Sequence, residues 1–246
     1  MKPVIPVLSL MVSFVLLPWI QAPAQHAEWD PELTELWEPV PGSIVPGAEG
    51  LPPADAIILF DGSGVGSWEG GSKWSLDNGV LVAEPGTGGI RTRQGFGDIQ
   101  LHLEWRIPDD VDGESQERGN SGIFLQERYE IQILDSYENE TYVNGQAGAV
   151  YKQYPPLVNA SFPPGRWQTY DIIFEAPVFR QNGKLVKPAY MSVLHNGILI
   201  HHRVRLHGPT IFRGLPGYEA HAEELPIAIQ GSRHKLGFRN IWVRKL

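Results

Sequence analysis

The chain contains no cysteine, and this absence removes several classes of protein from consideration. A protein without cysteine has no disulfide framework, no thiol nucleophile and no lipid-modified cysteine. The chain nevertheless has 246 residues, 42% of them hydrophobic, and this is enough to bury the core of one large domain. Its stability must therefore come from that core rather than from covalent cross-links.

Positive charge is also scarce relative to negative charge. The sequence has 20 Lys and Arg against 28 Asp and Glu, which gives a formal net charge of −8. A balance of this sign argues against nucleic acid or an anionic membrane as a partner. The sequence also lacks a Gly-x-Ser-x-Gly nucleophile elbow and a phosphate-binding loop. These absences favour a soluble protein that meets neutral ligands.

Apolar residues do not recur at helical spacing over any long segment, and Gly (27) and Pro (21) are abundant. Short runs with alternating polarity, separated by turn residues, are typical of an all-β protein. Of the Asn-Gly pairs in the sequence, those at 78–79 and 196–197 predict tight two-residue hairpins. The pattern predicts a two-sheet antiparallel sandwich, with regular strands at 57–60, 80–83, 99–107, 167–174, 190–195, 199–206, 225–230 and 236–244.

The N-terminus has the pattern of a bacterial secretory signal peptide. Lys2 precedes a mostly apolar run at 7–20, and Ala22 and Ala24 form a small-x-small cleavage site. A membrane anchor is the alternative, but the run is short and interrupted by proline. We predict a signal peptide at 1–24 cleaved after Ala24, an extended lead-in at 25–55, and one β-sandwich domain at 56–246. The mature protein is then periplasmic or secreted, with no membrane contact after cleavage.

Two adjacent histidines lie in the predicted strand after the second Asn-Gly turn. Neighbouring side chains of a regular strand point to opposite faces, so His201 and His202 are not expected to bind one metal together. If Asn196 and Gly197 form the whole loop, the alternation places His202 at the rim of the core and His201 on the surface.

The stretch 119–136 organises the rest of the chain. Side chains alternate along a strand, so Tyr129, Ile131 and Ile133 are expected in the core and Glu130 and Gln132 on the opposite face. At strand spacing this places a carboxyl group and an amide about 7 Å apart on one surface.

Residues 130–135 resemble the Glu-x-Asp-x-x-Glu strand of laminarinase-type glycosidases. In those enzymes two carboxylates flank the scissile bond, and retaining cleavage needs them about 5–5.5 Å apart. Here Gln132 and Asp135 replace the second and third acidic residues, and Glu130 and Asp135 lie on opposite faces of a regular strand. Without a second carboxylate in the required place, this strand is poorly suited to a two-carboxylate mechanism.

A second carboxylate of interest is Glu104, on the polar face of the alternating strand 99–107. Each of Glu104 and Glu130 has a plainer alternative, a surface charge paired with Arg106 or Arg239. Several polar residues at the centre of one sheet face favour a binding groove instead.

An ordered set of motifs along the chain resembles the 3-keto-disaccharide hydrolase-like family, a former domain of unknown function with a concanavalin A-like jelly-roll fold of the lectin and glucanase type. The motifs are LFDG (59–62), HLEWRI (102–107), GNSGIF (119–124), YEIQILD (129–135), AGAVY (147–151), LHNG (194–197) and GFRNIWVRKL (237–246). The resemblance implies an enzyme that cleaves glycosides already oxidised at C3 by a partner sugar 3-dehydrogenase. It leaves open whether the reaction is hydrolysis or C1–C2 elimination followed by hydration.

That chemistry needs a base near C2, a donor or metal for the enolate oxygen and an acid for the leaving oxygen. We expect Glu130 to be the base, Glu104 a second acid or metal ligand, and Gln132 a residue that orients sugar hydroxyls. The sequence requires no cofactor, although carboxylates and carbonyls at a groove could bind a divalent metal such as calcium. The residues expected to line one groove are Glu104, Asn120, Glu130, Gln132, Tyr151, Gln230 and Arg239.

The chain departs from the family near its end. Many members have a histidine shortly after the residues that match Ile229 and Gln230, whereas this chain has Ser232 there and His234 two residues later.

Two alternative functions remain open. One is a laminarinase-like retaining glycosidase, and the other, from a different class of protein, is a non-catalytic carbohydrate-binding module. Such a module needs aromatic platforms, and Tyr151 and Tyr190 are the aromatic residues expected in the groove.

Overall fold

A computed structural model describes residues 31–47 and 51–246. The chain divides into two compact units, 1–43 and 44–246. In the first unit the described residues contain one 3₁₀ turn, Pro31–Thr34. The predicted signal peptide at 1–24 lies outside the described residues. No helix in the described ranges is long and apolar enough to cross a membrane.

The second unit is built from short strands, as the alternation predicts. In chain order they are β1 (Ile57–Phe60), β2 (Trp68–Glu69), β3 (Ser75–Asp77), β4 (Val80–Val82), β5 (Ile90–Phe96), β6 (Ile99–Arg106), β7 (Ser121–Leu125), β8 (Tyr129–Ile133), β9 (Gln168–Glu175), β10 (Val178–Phe179), β11 (Leu185–Lys187), β12 (Tyr190–His195), β13 (Ile198–Arg205), β14 (Leu225–Ile229) and β15 (Gly237–Lys245). Three one-turn 3₁₀ helices interrupt them, Gly71–Lys73, Ser115–Glu117 and Val143–Gly145. The all-β prediction is confirmed.

The strands form two antiparallel sheets that face each other. The larger is eight-stranded, in the order β13-β12-β9-β6-β15-β4-β3 with β1 also paired to β15. The smaller is five-stranded, in the order β2-β5-β14-β7-β8. Strands β10 and β11 form a separate two-stranded ribbon. This is the predicted two-sheet antiparallel sandwich.

The core lies between the two sheets and follows the period-two alternation of their central strands. Leu101, Leu103 and Trp105 of β6 are buried, and so are Tyr129 and Ile131 of β8. Burying one such side chain is worth about 1.5–3 kcal/mol relative to leaving it exposed. Because the odd-numbered residues of β8 are fixed in this core, Glu130 and Gln132 must project from the outer face of the smaller sheet.

The Asn-Gly pairs at 78–79 and 196–197 both form the predicted turns. Asn78 and Gly79 have φ values of 48° and 77°, and Asn196 and Gly197 have 52° and 77°. Asp77 pairs with Val80, and His195 pairs with Ile198, so each loop is two residues long. Positive φ at both central positions is the type I′ geometry that matches the twist of a hairpin.

The prediction for the histidine pair is wrong. His201 is buried, at 2% exposure, whereas His202 is exposed. The hairpin register shifts between Leu194↔Leu199 and Val193↔His201, so an extra residue, Ile200, sits on β13. A bulge of this kind exchanges the faces of the residues that follow it. His201 Nε2 then lies 2.7 Å from the Gly148 carbonyl oxygen, and burial lowers the pKa of its imidazole.

Candidate active site

The outer face of the smaller sheet carries a polar cavity above the β7–β8 hairpin. Phe124 pairs with Glu130 and Gly122 with Gln132, so these four residues share one face. The cavity has a volume of about 420 Å³. Its walls contain one carboxyl group, three amides, one hydroxyl from a threonine and three aromatic rings, from Asn120, Phe124, Glu130, Gln132, Tyr151, Thr210, Phe212 and Gln230.

Strand β8 is the edge of the smaller sheet, and two loops close this edge. The segment 148–151 runs beside it: the Gln132 N–H donates to the Ala149 carbonyl (3.0 Å) and the Tyr151 N–H donates to the Glu130 carbonyl (3.3 Å). On the other loop, Thr210 Oγ1 accepts from the Glu130 N–H at 3.0 Å. These bonds satisfy the edge and bring Tyr151 and Thr210 to the cavity.

Glu130 is the carboxyl group of this cavity, and it is nearly enclosed. The residue is 5% exposed, and no cation in the described part of the chain forms an ion pair with it. Removing a carboxylate from water without an opposite charge disfavours its ionised form. Burial accordingly raises the pKa of Glu130 to about 8. At neutral pH most Glu130 side chains therefore hold a proton, and a minor fraction is ionised.

The amide of Gln132 is the hydrogen-bond partner of this carboxyl group. Its Nε2 lies 3.0 Å from Glu130 Oε1 and 3.1 Å from the Ser121 carbonyl oxygen. A backbone carbonyl oxygen only accepts, so the nitrogen of the amide, and not its oxygen, must face these two groups. Gln132 therefore donates to both the Glu130 carboxyl group and the Ser121 carbonyl oxygen.

Room for the carboxyl group comes from a glycine on the neighbouring strand. A Cβ added to Gly122 would overlap Glu130 Oε1 and lie 3.1 Å from its Cγ and Cδ atoms. Any larger residue at 122 must therefore push the Glu130 side chain away from the sheet. Gly122, the last residue of the Gly-Asn-Ser-Gly sequence, thus leaves the space that the Glu130 carboxyl group occupies.

Aromatic rings form the rim of the cavity on the side of the loops. Tyr142 and Tyr151 share a hydrogen bond between their hydroxyl oxygens, 2.6 Å apart. Lys152 Nζ lies 4.1 Å from the centre of the Phe212 ring and donates to the Phe212 carbonyl oxygen at 2.7 Å. Aromatic rings next to a few amides and a carboxyl group are the usual lining of a small-molecule site, in which the polar groups fix the orientation of the ligand.

Five of the seven residues expected in one groove lie there together. They are Asn120, Glu130, Gln132, Tyr151 and Gln230. The expectation is wrong for Glu104 and Arg239. These two belong to β6 and β15 of the larger sheet, where Arg239 Nε donates to Glu104 Oε2 at 2.7 Å and Asn240 Nδ2 to Glu104 Oε1 at 2.9 Å. They line a separate cavity on the other side of the sandwich, and the paired surface charge is the better description of Glu104.

Three other sequence candidates lie outside the cavity walls. Tyr190 is on β12 of the larger sheet, where Arg203 stacks on its ring at 4.1 Å, so its expected place in the groove is wrong. Asp135 is buried and forms an ion pair with Arg118 at 2.7 Å. His234 does not line the cavity, and contacts on both ring nitrogens fix the orientation of its imidazole.

The ring of His234 is held behind the Gly119–Asn120 turn. Its Nδ1 accepts from the Gly119 N–H at 3.3 Å and its Nε2 lies 2.8 Å from Asp112 Oδ1. The nearby Ser232 is buried, and its Oγ accepts from the His234 N–H at 3.2 Å. The shifted histidine therefore supports the backbone next to the Asn120 side chain.

Sequence reasoning missed three residues of the cavity. Phe124 could have been found, because it lies two residues from Gly122 on the same strand face. Thr210 and Phe212 belong to an irregular loop, and its sequence has no alternation of polar and apolar residues from which their positions could be predicted. Within the described ranges, no group of three or more His, Asp or Glu side chains is arranged to bind a metal ion.

A two-sheet antiparallel sandwich with a carboxyl group, amides and aromatic rings on the outer face of one sheet defines a protein of the glycosyl hydrolase-like type. Residues 55–244 match the family described as the 3-keto-alpha-glucoside-1,2-lyase-like domain. The match spans most of the chain, and the protein belongs to this family. No match was found among curated proteins.

Solved structures with the same fold come from Parabacteroides distasonis. One, a provisionally assigned glycosyl hydrolase, is 41% identical, with a TM-score of 0.85 over 92% of this chain and 100% of its own. A second protein with the same description is 19% identical, with a TM-score of 0.57 over 78% of this chain and 94% of its own. The second likeness shows the fold, while the first also supports the family assignment.

Proposed function

We propose that this protein cleaves 3-keto-α-glucosides by removing the proton at C2 with Glu130. The ketone at C3 acidifies the C2–H bond, so a carboxylate base is strong enough to break it. The electrons of that bond form an enolate, which then expels the oxygen substituent at C1 and leaves a C1–C2 double bond. Addition of water across this double bond completes a net hydrolysis.

The single observation that carries the proposal is the lone enclosed carboxyl group of Glu130. Direct displacement at C1 with retention needs a second carboxyl group about 5–5.5 Å away. Among the residues that line the cavity, Glu130 supplies the carboxyl group, and Asp135 and Glu104 point elsewhere. Elimination needs one base, and a raised pKa makes the ionised form of Glu130 a stronger base.

The other polar groups of the cavity have roles in this scheme. Asn120 uses one amide N–H on the Gln116 carbonyl oxygen (2.8 Å), and its second N–H can stabilise the enolate oxygen. Tyr151 offers a hydroxyl, backed by Tyr142, as the donor to the leaving oxygen. Gln132 orients a sugar hydroxyl and Glu130 at the same time.

A carbohydrate-binding module is the second candidate, and the ring cluster of Tyr151, Phe124 and Phe212 favours it. Rings of this kind bind sugars without chemistry. The buried carboxyl group distinguishes the two functions, because burying it without a cation weakens the fold and serves no purpose in stacking.

The proposal extends to where the protein works. The signal-like pattern at 1–24 supports export to the periplasm or the outside of the cell. A substrate oxidised at C3 also requires a sugar 3-dehydrogenase as a functional partner. Expression of the full chain, followed by N-terminal sequencing of the exported protein, tests the cleavage after Ala24.

The activity is tested by incubating the protein with methyl α-glucoside and with its 3-keto derivative, and following the products by NMR. We expect turnover of the 3-keto form only, with an unsaturated keto sugar before the hydrated product. Glu130→Gln should lower the rate about 10²–10⁴-fold, whereas Glu104→Gln on the other sheet should leave it unchanged. Equal cleavage of both glucosides would support an ordinary glycosidase, and binding without turnover would support the module.

A further inference from the structure

The loop 207–217 covers one side of the cavity above Glu130. Thr210 and Phe212 from this loop line the cavity walls. Near its start the loop is fixed to the β7–β8 hairpin, because the Thr210 N–H donates to the Arg128 carbonyl oxygen at 2.7 Å and Thr210 Oγ1 accepts from the Glu130 N–H at 3.0 Å. Glu130 itself is 5% exposed. The enclosure of the proposed base therefore depends on where this loop lies.

The two ends of the loop are held close together. A Cβ added to Gly208, which has a φ of 144°, would lie 2.8 Å from backbone atoms of Gly217. The Gln153 side chain fixes the first end, since its Oε1 accepts from the His207 N–H at 2.8 Å and its Nε2 donates to the Gly208 carbonyl oxygen at 3.0 Å. A loop whose ends are close and fixed can move its tip without disturbing the sheet.

The tip of the loop has one hydrogen bond to the rest of the described chain. Lys152 Nζ donates to the Phe212 carbonyl oxygen at 2.7 Å, and no other hydrogen bond or ion pair within the described ranges joins residues 211–217 to a different segment. Phe212 is 64% exposed and Leu215 is 92% exposed, so the tip packs little against its surroundings. The position of the tip thus depends on Lys152.

Both the backbone and the ammonium group of Lys152 are fixed in place. Its N–H donates to the Asn144 carbonyl oxygen at 2.8 Å. The ammonium nitrogen lies 4.1 Å from the centre of the Phe212 ring, and 5.6 and 5.8 Å from the centres of the Tyr151 and Tyr142 rings. The attraction of a cation to these ring faces adds to the hydrogen bond. Lys152 therefore joins the two loops that flank the edge strand β8.

We propose that Lys152 is a positioning residue of the reaction: it holds the tip of the 207–217 loop over the cavity, so that the enolate forms out of contact with bulk water. The inference rests on the proposed function, in which Glu130 takes the C2 proton. The enolate then either expels the oxygen at C1 or takes a proton back at C2, which regenerates the substrate. Bulk water supplies protons for the second route. A closed loop therefore favours expulsion of the C1 substituent.

The pH dependence of the reaction distinguishes this role from a direct effect of charge. Burial raises the pKa of Glu130 to about 8. Opening the loop hydrates the carboxyl group and lowers this pKa, whereas removing a cation that acted on Glu130 directly would raise it. The other charged or titratable groups beside the loop are the same in the parent and in a Lys152 variant, and they are Arg128, Tyr142, Tyr151, Tyr154, His207 and Arg213.

The first test needs no substrate. Hydrogen–deuterium exchange of the 207–217 loop is compared in the parent, Lys152→Met, Lys152→Arg and the control Lys184→Met, which changes an exposed lysine between β10 and β11. We expect the loop amides, including the Thr210 N–H, to exchange about tenfold faster in Lys152→Met, because a hydrogen bond from a charged donor is lost. Lys152→Arg keeps such a donor and should restore the parent rate. Unchanged exchange in Lys152→Met would overturn the proposal.

The second test follows methyl 3-keto-α-glucoside in deuterated water. Deuterium at C2 of the recovered substrate, above the level reached without protein, measures the enolate that returned to substrate. Relative to product, Lys152→Met should raise this deuterium about tenfold, in step with the faster opening of the loop. The midpoint of kcat/KM against pH should also move from about 8 to a lower pH. Lys152→Arg and Lys184→Met should match the parent in both measurements.

The outcomes separate the possible roles of Lys152. A midpoint that moves to higher pH would show a direct effect of charge, and an unchanged midpoint with unchanged deuterium would show a loop that takes no part in the reaction. Either result overturns the proposal. If the parent protein converts no 3-keto-glucoside, the proposed function fails, and the exchange of the loop amides alone then decides whether Lys152 holds the loop.

Discussion

Replacing Glu130 by Gln should stabilise the protein, and the gain should grow as the pH rises. Glu130 has an ordinary pKa of 4.5, which burial raises to about 8 in the folded protein. Between these values the folded state holds a proton that the unfolded chain has lost. The unfolding free energy therefore falls as pH rises through this window. Gln is neutral at every pH, so the variant does not share this fall.

The size of the effect follows from the two pKa values. Their separation corresponds to about 5 kcal/mol above pH 8, and to about 3 kcal/mol at pH 7. At pH 4 the two proteins should differ little, because Glu130 is protonated in both states of the parent. The hydrogen bond from Gln132 to an ionised Glu130 reduces the upper figure, and so does any water that enters the cavity.

Urea denaturation followed by tryptophan fluorescence at pH 4, 7 and 9 measures the difference. The matched control is Glu104→Gln, which breaks the ion pair with Arg239 on the other sheet and should not be stabilising at any of these pH values. A parent and a Glu130→Gln variant whose stabilities change in parallel with pH would refute the reasoning. Glu130 would then be ionised in the folded protein at neutral pH.

Three further predictions test how the cavity works. If Glu130 is the base, kcat/KM should rise with pH and level off above about 8, because the raised pKa of Glu130 sets its ionised fraction. A fall of kcat/KM through the same pH range would instead make Glu130 an acid. Gly122→Ala should reduce the rate about 10²-fold by displacing the Glu130 carboxyl group, while a circular dichroism spectrum checks that the fold is retained. Tyr170→Phe, which removes the 2.8 Å hydrogen bond to the Gln132 carbonyl oxygen, should lower the unfolding free energy by about 0.5–1.5 kcal/mol in urea, and an unchanged midpoint would contradict this.

Local pattern determined much of the fold in advance. The period-two alternation of a strand depends only on backbone geometry, so the buried face of β6 and the shared face of Glu130 and Gln132 could be predicted from the sequence. The Asn-Gly turns at 78–79 and 196–197 were also predictable, because few other pairs adopt positive φ at both positions without strain.

The tertiary structure decided which polar strand faces lie on the same side of the sandwich. Glu104 and Glu130 occupy equivalent positions on alternating strands, and alternation says only that each points away from the core. The pairing of β6 into one sheet and β8 into the other placed these carboxyl groups on opposite sides of the sandwich. That pairing depends on contacts distant in sequence, and no local pattern records it.

The remaining differences have the same origin. A bulge at Ile200 exchanged the positions of His201 and His202, and an extra residue of this kind changes the face of a side chain without changing local composition. The loop that brings Thr210 to Glu130 is irregular, so its position follows from where it docks. The pKa of Glu130 is set by the atoms around the carboxyl group, and these are assembled only when the sheet and its loops fold together.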